Sequence, residues 1–179
     1  MNIIVLTSDG KVVTRPDTTL VHDNGDFFVP DYVTVMAASP IAYFKVVKPG
    51  KCISPEFAGR YVGKAGLGVL LYPCEYNGVP ISLAEASCLD HTTYIREPVL
   101  SAEEFSHSPL SLSGGFEFVT PSVERFHKAL ELVSSRIYLR SGDVVCLELC
   151  CPETLHFGGC IRITGRTGDA VEVDFRIIG

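Results

Sequence analysis

The chain has 179 residues, 46% of them hydrophobic, enough to build a core and to argue against global disorder. Its formal net charge of -6, with no basic cluster anywhere, argues against a nucleic-acid surface. The apolar runs break within about ten residues, too few to span a bilayer.

The length fits one domain over residues 1–179, with residues 1–40 as a candidate N-terminal β-hairpin arm. The start, Met1 to Leu6, lacks the basic region of a signal peptide and reads as a first strand. Seven cysteines, an odd number without C-x-x-C spacing, suit a reducing environment, so a cytoplasmic location is expected. Cys146, Cys150 and Cys160 sit in apolar runs, where a thiol behaves as a small hydrophobe.

Asp9-Gly10, between apolar segments 3–6 and 11–15, predicts a β-hairpin, and Asn24-Gly25, between 18–21 and 27–29, predicts a second. Pro30-Asp31 ends that strand, and residues 32–36 read as an edge segment. The apolar run Tyr43 to Val47 stops at Lys48-Pro49-Gly50-Lys51. Ser54-Pro55-Glu56 opens a short helix, with Phe57 and Tyr61 on one face and Gly63 and Gly66 at its end. Gly66 to Leu71 reads as a second buried strand, broken at Tyr72-Pro73-Cys74-Glu75. Asn77-Gly78-Val79-Pro80 is a turn, residues 81–87 hold a helical turn, and residues 92–95 form a strand. Ser101 to Glu104 fits a capping box, and residues 106–115 read as an exposed loop. The clearest helix begins at Thr120-Pro121, with Val123, Phe126, Leu130 and Val133 tracing one stripe. Ser141-Gly142-Asp143 turns into a strand at 144–147, and strands at 159–164 and 170–178 close the chain. On the last of these, Val171, Val173 and Phe175 share a face. The sum is a β-rich α+β fold with two or three short helices, not a parallel βαβ series.

The order of these landmarks resembles the fumarylacetoacetate hydrolase (FAH) family. Pro16-Asp17-Thr18, then Phe27-Phe28-Val29-Pro30-Asp31, resembles the family's "KPDTAL…PFFLPDF" opening. Val46-Val47-Lys48 with Gly50-Lys51-Cys52-Ile53 and Phe57-Ala58-Gly59-Arg60-Tyr61 resembles "VELVVKIGKxI…FAxRYY". Gly66-Leu67-Gly68-Val69 sits where the family has "xVGID", and Gly78-Val79-Pro80 matches its "GLPW" turn. Val133-Ser134-Ser135, then Tyr138 to Asp143, resembles "YVSxxxTLKxGD". Pro152 falls near the "TGTPxG" proline and Gly168-Asp169 near the family's late "GD". The resemblance implies a mixed β-sandwich roll that usually dimerises. It also implies C–C hydrolysis, decarboxylation or isomerisation of β-dicarbonyl or 2-oxo acids, with a divalent ion, usually magnesium, held by carboxylates.

The ligand positions depart from that pattern. The family's Glu-x-Glu pair falls on Ala42 and Phe44, and its third carboxylate on Leu70. None can hold a dication, and residues 39–47 contain no acid, so no magnesium is expected. The arginine of "TARD" falls on Cys74 with Glu75 after it, and the lysine of "WELAKAFD" falls on Glu85, with Asp90 in place of its aspartate. The "TGTP" turn becomes Leu149-Cys150-Cys151-Pro152, and residues 10–15 show no counterpart of the catalytic His-Glu lid. Ala42, Phe44, Leu70, Glu75, Glu85 and Asp90 are thus expected to line a vestigial pocket, with Tyr72 beside them.

Other groupings weigh less. Cys150, Cys151, His156 and Cys160 are a candidate zinc set, but adjacent cysteines point apart on a strand. Cys74 with His91 is a candidate nucleophile and base that nothing in the sequence brings together. His22, His107 and His127 read as solvated, and Glu148 as an outward position on an apolar strand. The expectation is a catalytically degenerate FAH-fold protein serving as a binding or assembly module. It would form a homodimer or pair with a catalytic relative, and could carry a small-molecule ligand. The alternative is a divergent hydrolase, decarboxylase or isomerase, with Glu75, Glu85 or Asp90 as general base and magnesium in reserve. A chance resemblance in a small β-rich ligand-binding domain is the third.

Overall fold

A computed structural model of the chain describes residues 1–156 and 159–179. Strands β1 (Ile3–Leu6) and β2 (Val12–Arg15) form the first expected hairpin, turned at Gly10 with φ 81°. A 3-10 turn at Asp17–Thr19 leads to β3 (Leu20–Val21) and then β4 (Phe27–Phe28). The long strand β5 (Val33–Val46), the single-turn α1 (Pro55–Ala58) and the equally long β6 (Val62–Tyr76) follow. Next come β7 (Val79–Pro80), α2 (Leu83–Ala86), β8 (Thr93–Tyr94), β9 (Leu100–Ser101) and α3 (Ala102–His107). The chain ends with β10 (Leu110–Leu112), α4 (Val123–Arg136), β11 (Val144–Glu148), β12 (Glu153–Leu155), β13 (Cys160–Thr167) and β14 (Ala170–Ile178). The β-rich α+β class is as expected, with four short α-helices among the described residues rather than two or three.

Local signals held where they were strongest. Ser101 and Glu104 form the full capping box on α3, and Asn77-Gly78, both at positive φ, turn β6 into β7. They failed where a distant strand offered better pairing. Asn24-Gly25 does not join β3 to β4: β3 runs parallel to β8, and β4 parallel to β14. Two-residue strands hold too few mutual hydrogen bonds to pair locally once existing sheet edges are available. Residues 32–36 are the start of β5, not a separate edge. Strand β6 runs through Tyr72-Pro73-Cys74-Glu75, because register shifts around Val35 and Met36 absorb the proline's missing donor. Gly63 and Gly66 lie within β6 rather than ending α1. Loop 106–115 supplies β10, paired to β13.

The larger sheet has the path β2-β1-β11-β5-β6-β8-β3, with β12 on β5 and β7 and β9 on β6. Its two ends, β2 and β3, are consecutive in the chain and separated only by residues 16–19. That linker spans no more than roughly 18 Å. Laid flat, seven strands at the usual spacing would hold those edges roughly 29 Å apart. The sheet must therefore curl into a roll, with an inside and an outside. The segment 1–40 is woven into this roll and the second sheet rather than standing off as an arm.

The outer face of the roll is covered twice. Around Ala42, Phe44, Ala65 and Leu67 it packs on α4 through Phe126, Leu130 and Val133 and on α3 through Phe105. Around Met36, Ala38, Val69 and Leu71 it packs on the second sheet, ordered β10-β13-β14-β4, through Ile163, Val173, Phe175 and Ile177. Tyr94 and Phe175 stack there with ring centroids 3.5 Å apart. Asp143 anchors the N-terminus by accepting from the backbone N–H groups of Asn2 and Arg140, both at 2.8 Å. Among the described residues no helix is long and apolar enough to cross a membrane.

Glycine matters most at Gly66, directly opposite Tyr43 in the β5–β6 register. A Cβ there would stand 2.6 Å from the Tyr43 hydroxyl, which is itself held by donation to the Arg96 carbonyl at 2.6 Å. Gly66→Ala should therefore lower stability by about 1–3 kcal/mol, read as a reduced urea midpoint with an unchanged m-value.

Candidate functional site

Side chains alternate across β5 and β6, so each strand has one set facing the inside of the roll. The inward set is Ile41 and Tyr43 from β5, Leu70 and Tyr72 from β6, Ile3 and Val5 from β1, and Val144 and Cys146 from β11. Ala42 and Phe44 point the other way, under the helices, where the Phe44 ring meets Phe126 edge to face at 5.7 Å. The structure therefore does not bring Ala42 and Phe44 together with Leu70. The residues that share a face with Leu70 are Ile41 and Tyr43. Counting back along the chain from Gly50-Lys51 takes no account of the pleat, and a slip of one residue exchanges the two faces. Neither set contains an acid.

The remaining members of the expected pocket are dispersed. Glu75 is half-buried near the end of β6, within 3.4 Å of the Thr34 hydroxyl. Glu85 is exposed on α2, where its backbone N–H donates to the N-cap Ser82. Asp90 is exposed beside a cleft of about 340 Å³ that also includes Phe28, Tyr32 and His91. Among the described residues, none of the five clefts of about 230–430 Å³ brings any of these three acids together with Leu70 or Tyr72.

Inside the roll lies a polar cluster of a different origin. Arg15, at the end of β2, is only 2% exposed. Its guanidinium donates to the Leu71 carbonyl at 2.8 Å, to Thr92 Oγ1 at 2.9 Å, to the Thr92 carbonyl at 3.2 Å and to the Ser87 carbonyl at 3.4 Å. Its Cζ sits 4.9 Å from the centre of the Tyr72 ring, a cation–π contact. Tyr72 donates its hydroxyl to Glu148 Oε1 at 2.7 Å, and the Ser8 backbone N–H donates to Glu148 Oε2 at 2.9 Å. Glu148 is also only 2% exposed. Burial pushes its carboxyl above the ordinary range, against the opposing pull of the Ser8 and Tyr72 hydrogen bonds. Burial likewise raises the Tyr72 phenol, drives the Cys146 thiol up to about 12 and lowers Arg15. A thiol so raised is inert.

Sequence reasoning missed this cluster. Glu148 was expected to face outward, as an acid on a half-exposed strand would. But β11 is buried along its whole length, between β1 and β5, and has no outward face to offer. Arg15 gave no signal beyond being a cation at the end of a strand.

The other candidates separate as follows. Cys150 is half-buried, while Cys151, His156 and Cys160 are exposed, and among the described residues no three of His, Cys, Asp and Glu group as metal ligands. Cys74 donates to its neighbour's carbonyl, that of Tyr72, while His91 is exposed at positive φ. His22 and His107 are exposed, and His127 is half-buried beside Gly59. The divalent ion implied by the resemblance does not fit the interior. A hard cation needs several anionic oxygens. Here Glu148, the inward carboxyl among the described residues, is engaged by Ser8 and Tyr72, and the Arg15 guanidinium lies over the Tyr72 ring.

Two consequences are measurable. Arg15→Met removes the donor that satisfies three carbonyls and should cost about 3–5 kcal/mol in urea unfolding. Glu148 holds its proton to a higher pH in the folded state than in the unfolded chain. Stability should therefore fall as pH rises from the ordinary carboxyl range through the folded pKa. Glu148→Gln should flatten that part of the profile, measured by unfolding across a pH series.

No family model matches the chain, and no curated protein matches it in sequence. Solved structures do match it in shape. A protein from Yersinia pestis CO92 assigned to the fumarylacetoacetate hydrolase family superposes with a TM-score of 0.75 at 17% identity, over 99% of this chain and 92% of its own. The 2-hydroxyhepta-2,4-diene-1,7-dioate isomerase of Mycobacterium marinum gives 0.76 at 11% identity, over 99% and 74%. The fumarylpyruvate hydrolase of Pseudomonas aeruginosa, solved with Mn2+ and pyruvate, gives 0.74 at 14% identity, over 99% and 89%. With its curled main sheet, its second sheet and α4 laid over the outside, the chain has the fumarylacetoacetate hydrolase fold.

Proposed function

We propose that this protein is a catalytically degenerate member of the FAH fold, acting as a binding or assembly module rather than a metal-dependent enzyme. One observation carries the reading. At the inward positions of β5 and β6, where a dication's carboxylates would have to converge, stand Ile41, Tyr43 and Leu70, all fully buried. Three apolar or phenolic side chains in place of anionic ligands abolish a site rather than tune it. Tyr43 fills the space over Gly66, which leaves no room for a ligand at that point of the interior.

A soluble, cytoplasmic homodimer, or a pair with a catalytic relative, fits this role. Phe28 on β4 and Val79 on β7 are 69% and 63% exposed, and Tyr32 and Tyr76 pack edge to face at 5.1 Å. Large exposed apolar side chains of this kind are what a second copy of the chain would cover. Sedimentation velocity should give twice the monomer mass for the native chain. Phe28→Asp combined with Val79→Asp should shift it to the monomer.

A divergent, metal-free enzyme is the second reading, and Glu148 is the observation that favours it: a buried carboxyl with a raised pKa, hydrogen-bonded by a tyrosine hydroxyl, has the profile of a general acid. Glu75, Glu85 and Asp90 are too far toward the surface to share that role. Calorimetric titration with magnesium should give no saturable heat, and micromolar binding would overturn the degenerate reading. Chelator-treated protein should leave an acylpyruvate and oxaloacetate unchanged. Turnover that is lost in Glu148→Gln would instead establish the metal-free enzyme.

A further inference from the structure

Outside the roll, a cleft of about 250 Å³ opens between the β1–β2 turn and α4. Its floor is apolar, made by Leu6, Leu132 and Leu147. Ser8 in the turn forms one wall, and Arg125 and Lys128, three apart and so on one face of α4, form the other. Both cations are exposed, and among the described residues neither makes an ion pair. The neighbouring Lys11, by contrast, is neutralised by Asp9 at 2.6 Å. Two exposed cations without a close ion pair stand over an apolar floor, with Glu148 also lining the cleft and Glu124 one turn before Lys128 on α4.

The two walls are held by the same residue. Glu148 accepts Arg125 Nη2 on its backbone carbonyl at 3.0 Å and the Ser8 N–H on its buried carboxyl at 2.9 Å. The spacing between turn and helix is therefore set from inside the roll before any ligand arrives, which lowers the ordering cost of binding. We propose that this cleft binds a small organic anion, a carboxylate on a short apolar chain. The carboxylate is held by Arg125 and Lys128, and the chain lies on Leu6, Leu132 and Leu147. Arg125 supplies the planar fork that suits a carboxylate, and Lys128 supplies a point charge. The floor selects against a bare inorganic anion, which has no apolar surface to bury there. The larger cleft of about 430 Å³ beside α3 sets Glu103 against Lys64 and His127, so its charge is balanced and it selects no ligand class.

The site lies outside the roll, so it does not depend on the loss of the metal. Magnesium binding would overturn the reading above and leave this one standing. The test is titration of the native protein with butyrate, butyramide and inorganic phosphate, followed by amide chemical shifts. Butyrate should saturably shift amides of the Ser8 turn and of the Arg125 to Lys128 segment. Lys128→Gln, an exposed change outside the Arg125–Glu148 tie, should weaken it several-fold while leaving the thermal midpoint unchanged, and adding Arg125→Gln, which also removes the hydrogen bond to the Glu148 carbonyl, should bring the loss to roughly tenfold or more. Lys51→Gln, remote in the turn before α1, should change nothing. The proposal is overturned if butyrate shifts nothing in that cleft or if butyramide binds as well. It is also overturned if phosphate binds as tightly as butyrate or if the double variant keeps full affinity.

Discussion

A buried cation holds this structure together. The Arg15 guanidinium sits at the end of one sheet edge and reaches the carbonyls of β6 and of the segment leading into β8, so the seam of the roll is fastened by charge-assisted hydrogen bonds. A cation removed from water must be fully satisfied or it destabilises its surroundings. Leu71, Thr92, Ser87 and the Tyr72 ring provide that satisfaction only when β2, β6 and the approach to β8 are all in place. The short linker of residues 16–19 makes the same demand by geometry. Closure of the roll and burial of Arg15 are therefore one event.

Once closed, the roll has an interior that its side chains must fill. Here Tyr43 lies across Gly66 and donates to the Arg96 carbonyl, and Ile41, Leu70 and Ile95 close the remaining space. What polarity the interior retains is a chain of contacts, from Arg15 through Tyr72 to Glu148, that ends on the turn between β1 and β2. Such a network links the centre of the roll to its rim. A change at Ser8 or Arg125 is thus felt by the same residue that supports Tyr72 inside.

The β-rich class, the hairpin at Asp9-Gly10, the turn at Asn77-Gly78, the capping box at Ser101 and the apolar stripe of α4 were legible because each rests on interactions within a few residues. That neither face of β5 between residues 39 and 46 carries an acid was legible too. The sides of the sheet were not. Ala42 and Phe44 were grouped with Leu70, yet they lie on opposite faces, because the pleat's phase depends on which strands β5 pairs with and in what register.

From the sequence alone came the local turns and caps, the helix face and the lack of acids over residues 39–47, all properties of residue identity and near spacing. Only the tertiary structure could decide that Asn24-Gly25 does not make a hairpin, that β11 is buried on both sides and that Arg15 meets Tyr72, which donates to Glu148. Those facts rest on contacts between residues more than fifty positions apart in the chain, and nothing in local pattern encodes which distant carbonyls will surround a buried charge.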